Sequence, residues 1–127
     1  MDMLRGIGII GTRKRNVKED YDMVCNAFAE TYVEGDFVVS GGCPKGGDYF
    51  AGRIAGNLGI PILIFYPNWK EYGKAAGFIR NEKIAQHSTR ALIACVTTDR
   101  TGGTEDTIKK YKKFCKEMSI EERLILV

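Results

Sequence analysis

Five short apolar runs, rich in β-branched residues, recur along the chain with room for a helix between successive runs: GIGIIGT (6–12), DFVVSG (36–41), PILIFYP (61–67), ALIACV (91–96) and RLILV (123–127). Each run is nearly continuous rather than alternating, as expected of strands covered on both faces, and such strands belong to parallel sheets. Between them, apolar residues fall at helical spacing. Tyr21, Val24, Cys25, Phe28 and Tyr32 share one face, as do Phe50, Ile54 and Leu58, and Ile108, Tyr111, Cys115 and Met118. The segment at 75–88 is less cleanly amphipathic. Strands alternating with helices require right-handed crossovers, so the pattern predicts a three-layer α/β sandwich around a five-stranded, mostly parallel sheet. Both 3-2-1-4-5 and 2-1-3-4-5 fit as strand orders. In the first, strands one and four meet at the topological switch point with strand two alongside, and the loops leaving all three share a crevice.

With 127 residues, 44% hydrophobic and 28% charged, the chain has the size and balance of one domain, taken here as 1–127. No apolar run approaches the ~20 residues of a membrane span. The first residues, MDMLRGIGIIG, are too broken by glycine for a signal sequence. A soluble, cytoplasmic protein with no membrane partner is expected. Cys25, Cys43, Cys95 and Cys115 are widely spaced, and His87 is the single histidine, so no metal site is expected. Cys25, Cys95 and Cys115 read as small core residues, and Cys43 as a loop residue open to solvent. The net charge is +3, and KKYKK in the last third supplies most of it. A lysine run of that kind is usually a solvated helix face, which argues against nucleic acid as a partner.

The unusual chemistry lies in the loops that follow strands one, two and four: GTRKR (11–15), SGGCPKGGD (40–48) and TTDRTGGTEDT (97–107). Glycine lets backbone approach a ligand closely, and the helix that follows offers free N–H groups with partial positive charge. Three such turns at one sheet edge would suit a phosphate-bearing ligand.

Several familiar motifs fail on inspection. Gly6, Gly8 and Gly11 spell G-x-G-x-x-G, but the spacer residues are isoleucines and too little chain precedes them for the dinucleotide motif's strand. They read as glycines within a strand. Gly42 and Gly47 have phosphate-loop spacing, yet Asp48 and Tyr49 stand where lysine and a magnesium-binding hydroxyl belong. A phosphoacceptor receiver would need carboxylates where Thr12 and Pro67 lie. His87, near the end of the third helical segment, reads as helix-terminal rather than catalytic.

The segments VVSGGCPKGGDYFAGRIA (38–55), PNWKEYGKAAGFIRNEKIA (67–85) and RTGGTEDTI (100–108) together resemble the YspA/cpYpsA-related branch of the SLOG superfamily. These are Rossmann-like proteins related more distantly to DprA and to the LOG phosphoribohydrolases. The most specific part is the W-x-x-Y-G-K-x-A-G-x-I-R-N pattern, and the likeness runs through nearly the whole chain. It implies a SLOG-type, three-layer Rossmann-like sandwich that binds a nucleotide or nucleotide-derived small molecule at the strand C-termini, with no resident cofactor. Matched position by position, the implied ligand-binding set is Gly11, Thr12 and Arg13; Ser40, Gly41, Gly42, Gly47 and Asp48; Trp69, Tyr72, Lys74, Arg80 and Asn81; and Gly102, Gly103 and Thr104. Gly73 and Gly77 also match the central signature.

Physical chemistry gives each match a role and a plainer rival. Arg13 and Arg80 can fork onto phosphate oxygens or pair with carboxylates. Ser40 and Thr104 can donate hydroxyl hydrogen bonds, or end a strand and cap a helix. Asp48 can accept ribose hydroxyls, orient water or cap a helix. Trp69 and Tyr72 can stack on a base or cover the sheet edge. Lys74 can reach a phosphate or be solvated, and Asn81 can bind ligand or fix the neighbouring loop.

The resemblance also frames the choice between sensor and enzyme. LOG hydrolases use P-G-G-x-G-T-x-x-E, whose glutamate assists N-glycosidic cleavage, and here Thr107 takes that position. Glu105 lies two residues earlier, about 200° away around a helix. Asp48 and Glu105 are the candidate catalytic carboxylates for a hydrolase. Binding or sensing of an ADP-ribose-, NAD- or nucleoside-phosphate-like ligand is the first expectation; hydrolysis of such a ligand and a DprA-like single-strand module are the alternatives. Edge strands and the resemblance are compatible with a homo-oligomer.

Overall fold

The computed structural model describes residues 5–127. Strands β1 (Gly6–Gly11), β2 (Phe37–Ser40), β3 (Ile62–Ile64), β4 (Ala91–Cys95) and β5 (Leu124–Leu126) alternate with helices α1 (Lys18–Thr31), α2 (Gly47–Leu58), α4 (Ala76–His87) and α5 (Gly103–Met118). Between β3 and α4 the chain adds a one-turn helix, α3 (Trp69–Tyr72), and a 3-10 turn at Gly73–Ala75. Asn68 starts α3 by accepting the Glu71 amide at 3.1 Å.

The five strands form one sheet in the order β3-β2-β1-β4-β5, the first of the two expected arrangements. All four pairings are parallel. Helices α1 and α2 cover one face, where Ile7, Ile9, Val24, Phe28, Phe50 and Ile54 make a buried cluster. Helices α4 and α5 cover the other through Ile10, Val39, Ile84, Leu92, Ile108 and Tyr111. The result is the three-layer, Rossmann-like sandwich expected from the apolar runs. The glycines at the start of β1 serve this packing: a Cβ on Gly8 would come within 2.2 Å of the Ser88 hydroxyl at the end of α4.

Two expected core residues lie elsewhere. Leu58 and Met118 are 61% and 59% exposed. Leu58 lies eight residues beyond Phe50 and Met118 ten beyond Ile108, and at 100° per residue either offset turns the side chain about 80° away from that residue. Tyr32 lies one residue past the end of α1 and is only half-buried. Cys95 and Cys115 are buried, and Cys25 and Cys43 half-buried, all as free thiols. Among the described residues, no helix is long and apolar enough to cross a membrane.

At the entry ends of the central strands, Arg90 donates to both oxygens of buried Asp36, at 2.8 and 3.0 Å, spanning β1. At the opposite, C-terminal ends, α2 begins directly on β1. A Cβ on Gly47 would lie 2.1 Å from the Ile10 carbonyl carbon and 2.3 Å from the Gly11 nitrogen, both rigid backbone atoms. Gly47→Ala is therefore expected to cost about 3 kcal/mol by overpacking. Gly52, mid-helix with nothing within 4 Å of its virtual Cβ, should instead gain ~0.5–1 kcal/mol on conversion to alanine. Urea denaturation of the two variants checks both signs.

Candidate functional site

Because β1 and β4 are neighbours whose connections run to opposite faces, a crevice opens at their C-terminal ends. It forms a cavity of about 640 Å³, bounded by the loops after β1, β2 and β4 and by the start of α4. From the predicted set, the structure brings Gly11, Thr12, Arg13, Gly41, Gly42, Asp48, Trp69, Arg80, Asn81, Gly102, Gly103 and Thr104 to its wall. Ser40, Gly47, Tyr72, Lys74 and Glu105 are not on the wall.

The first loop divides its three basic residues between two tasks. Arg15 is structural: its guanidinium pairs with Asp20 at 3.0 Å and donates to the Val96 carbonyl at 3.0 Å and to the Val127 carbonyl. Asp20 also accepts the Val17 amide at 3.3 Å, tying the loop to the start of α1. With Arg15 so held, Arg13 and Lys14 are exposed and line the cavity. The Arg13 side chain makes no hydrogen bond or ion pair with any described residue. Asn16 then stitches the first loop to the second by accepting the Gly46 amide at 2.8 Å.

The second loop is the SGGCPKGGD segment, and four of its amides, those of Gly41, Gly42, Cys43 and Gly46, already have partners. Asp48 turns its carboxylate back from the first turn of α2 and accepts the Gly41 amide at 3.3 Å and the Cys43 amide at 3.1 Å. Ser40, 1% exposed behind the wall, accepts the Gly42 amide at 3.1 Å and donates to the Asp48 carbonyl. The loop is thus a cradle for an anion, and the anion is its own aspartate. Asp48 does not cap α2, whose N-cap is Gly46 with no side-chain bond. Arg80 reaches across from α4 and donates to the Gly41 carbonyl at 2.8 Å and to Asn81 at 3.0 Å. Burial pushes the Asp48 carboxyl above its ordinary pKa, and the Cys43 amide, Arg80 and the Gly41 amide only partly oppose it.

The fourth loop is internally braced by side chains. Asp99 accepts from the hydroxyls of Thr97 and Thr101 at 2.7 and 2.9 Å, bonds that hold its carboxyl below the usual range. Arg100 donates twice to Glu105, at 2.7 and 2.9 Å, which engages the second candidate carboxylate away from the cavity. Gly102, at φ 101°, turns the chain into α5 and leaves that helix without a side-chain cap. Thr104 accordingly is not a cap. From the middle of α4, Asn81, 7% exposed, donates to Asp106 at 3.0 Å and so fixes α4 against α5. Thr107, where the resemblance would place a glutamate, is 2% exposed, lies on the cavity wall and donates to the Gly103 carbonyl at 3.4 Å.

Aromatic residues frame the mouth. Trp69, 59% exposed, rests over Gly77, whose virtual Cβ is 3.6 Å from the indole. Tyr66, 69% exposed, lies against Gly42. Tyr72 and Lys74 are exposed on the α3 segment, away from the wall. Sequence reasoning missed Tyr66, Lys14, Cys43, Thr97, Thr101 and Thr107 as wall residues. Tyr66 and Lys14 carried a usable signal, since both leave strands at the same sheet edge as the glycine loops. Among the wall residues the charged side chains are Arg13, Lys14, Arg80 and Asp48. Compared with protein-family models, with curated proteins and with solved structures, the chain matches none.

The raised carboxyl of Asp48 gives a pH dependence of known sign. A group that holds its proton more tightly when folded contributes stability present below its unfolded pKa of about 3.9 and lost as pH rises through the folded value. The stability of the wild-type chain minus that of Asp48→Asn should therefore fall as pH rises out of the acid range, then level off. Urea midpoints across the acid-to-neutral range read the difference, and a rise with pH would show that the cradle favours the ionised form.

Proposed function

We propose that this chain is a SLOG-type binder or sensor of a nucleotide or nucleotide-derived phosphate, such as an ADP-ribose-, NAD- or nucleoside-phosphate-like molecule. The observation that carries this reading is the cavity at the β1/β4 switch point, where Arg13 has no partner among the described residues and the uncapped start of α5 faces the same space. Helix N-termini and arginine forks both favour phosphate, through amide donors, the helix dipole and bidentate charge-assisted bonds. Exposed Tyr66 and Trp69 at the mouth offer π-faces on which a base can stack. The resemblance of the W-x-x-Y-G-K-x-A-G-x-I-R-N segment to SLOG proteins supports the same class of ligand.

Hydrolysis of such a ligand is the second reading, and Asp48 is the observation behind it. It is the one carboxylate among the described wall residues, and burial raises its affinity for a proton, the direction a general acid or base needs. Glu105 is committed to Arg100 and Thr107 cannot ionise, so a LOG-like glutamate has no counterpart here.

Calorimetric titration with AMP, ADP-ribose, NAD and cyclic dinucleotides, followed by chromatography of the mixtures, tests both readings. Saturable binding without product is expected of the binder; product lost in Asp48→Asn would favour the hydrolase. Arg13→Ala should weaken the ligand that binds best about tenfold or more, since charge-assisted hydrogen bonds contribute ~1.5–3 kcal/mol. Failure of every ligand to bind, or equal binding by Arg13→Ala, would overturn the proposal.

A further inference from the structure

We propose that Asp48 is the sugar-reading residue of the cavity, selecting a ligand with a free ribose diol by accepting its hydroxyls, while the ligand's phosphate sits against the Arg13 side chain and the start of α5. The inference rests on the phosphate-ligand reading above and gives the sugar and the phosphate separate partners.

The division follows from which donors are already spent. In the second loop, the Gly41 and Cys43 amides go to Asp48, the Gly42 amide to Ser40 and the Gly46 amide to Asn16. A phosphate entering there would find these donors engaged and a carboxylate in place. Two negative charges brought together there repel each other. Donors remain open on the other two loops, where Arg13 has no partner among the described residues and Gly103 and Thr104 start a helix without a side-chain cap.

What remains at Asp48 is acceptor capacity. A carboxylate has about four lone-pair sites, and two backbone amides occupy one site on each oxygen. One free site per oxygen is the pattern that two adjacent hydroxyls fill, through short O–H···O⁻ bonds. An amine could use the same acceptors, but Arg13, Lys14 and Arg80 on the same wall disfavour a cationic ligand. Arg80 holds the Gly41 carbonyl, so the loop that presents Asp48 is fixed before any ligand arrives.

Calorimetric titration of the wild-type protein with AMP and with 2′-deoxy-AMP tests the inference without any variant. Wild type should bind AMP about tenfold more tightly, the penalty expected when a site built for a hydroxyl meets a ligand lacking it. Asp48→Asn should bring the two affinities within about twofold of each other, and binding of the deoxy ligand should hold or strengthen as the repulsive charge is removed. Equal wild-type affinities for AMP and 2′-deoxy-AMP would overturn the sugar-reading role while leaving the phosphate reading intact. An Asp48→Asn variant that loses affinity for both equally would do the same. Binding of neither nucleotide by the wild type would overturn both readings together.

Discussion

The first turn of α2 lies on the backbone of β1, and the placement of everything around the cavity depends on that contact. No side chain fits at Gly47, where the neighbouring atoms are the Ile10 carbonyl carbon and the Gly11 nitrogen. Gly46, at φ 73°, lets the chain turn over the Thr12 carbonyl, and its amide is anchored by Asn16. The loop after β2 is thereby pressed against the loop after β1. Since β4 flanks β1 on its other side, the third loop faces the same crevice. One close backbone approach, combined with a parallel strand order, assembles residues that are 90 positions apart in the chain, such as Arg13 and Gly103.

Within that frame the three loops divide the electrostatic work. The second is satisfied from inside by Asp48 and Ser40, and the fourth is braced by Asp99 and by the Arg100–Glu105 pair. Bracing through side chains leaves the start of α5 uncapped toward the cavity. The first loop commits Arg15 to structure and leaves Arg13 to solvent. A site whose walls are held by their own hydrogen bonds loses little conformational entropy on binding, so more of the contact energy appears as affinity.

The layers and the sheet were legible in the sequence because continuous β-branched runs and 3.6-residue spacing are properties of single segments. Strand order was narrowed to two possibilities, and only packing chooses between them. Leu58 and Met118 are exposed because a helical face drifts over two turns, so apolar residues near a helix end fall away from the buried stripe. The glycine-rich loop after β2 was legible as an anion cradle but not as one already filled. Asp48 reaches back across seven residues to Gly41, and such a return depends on the turn's full geometry rather than on spacing. Tyr66 escaped notice for a related reason: its role comes from lying against Gly42, 24 positions away in the chain.

The central claim is that phosphate is received by the Arg13 side of the cavity and the start of α5. Amide chemical-shift mapping during titration with AMP tests it most directly, because each loop reports separately. The account predicts the largest changes at Thr12, Arg13, Lys14, Gly102, Gly103 and Thr104, with the groove between α4 and α5 near Glu82 and Lys113 undisturbed. Changes centred on that groove, or none in the first and fourth loops at saturating nucleotide, would contradict it.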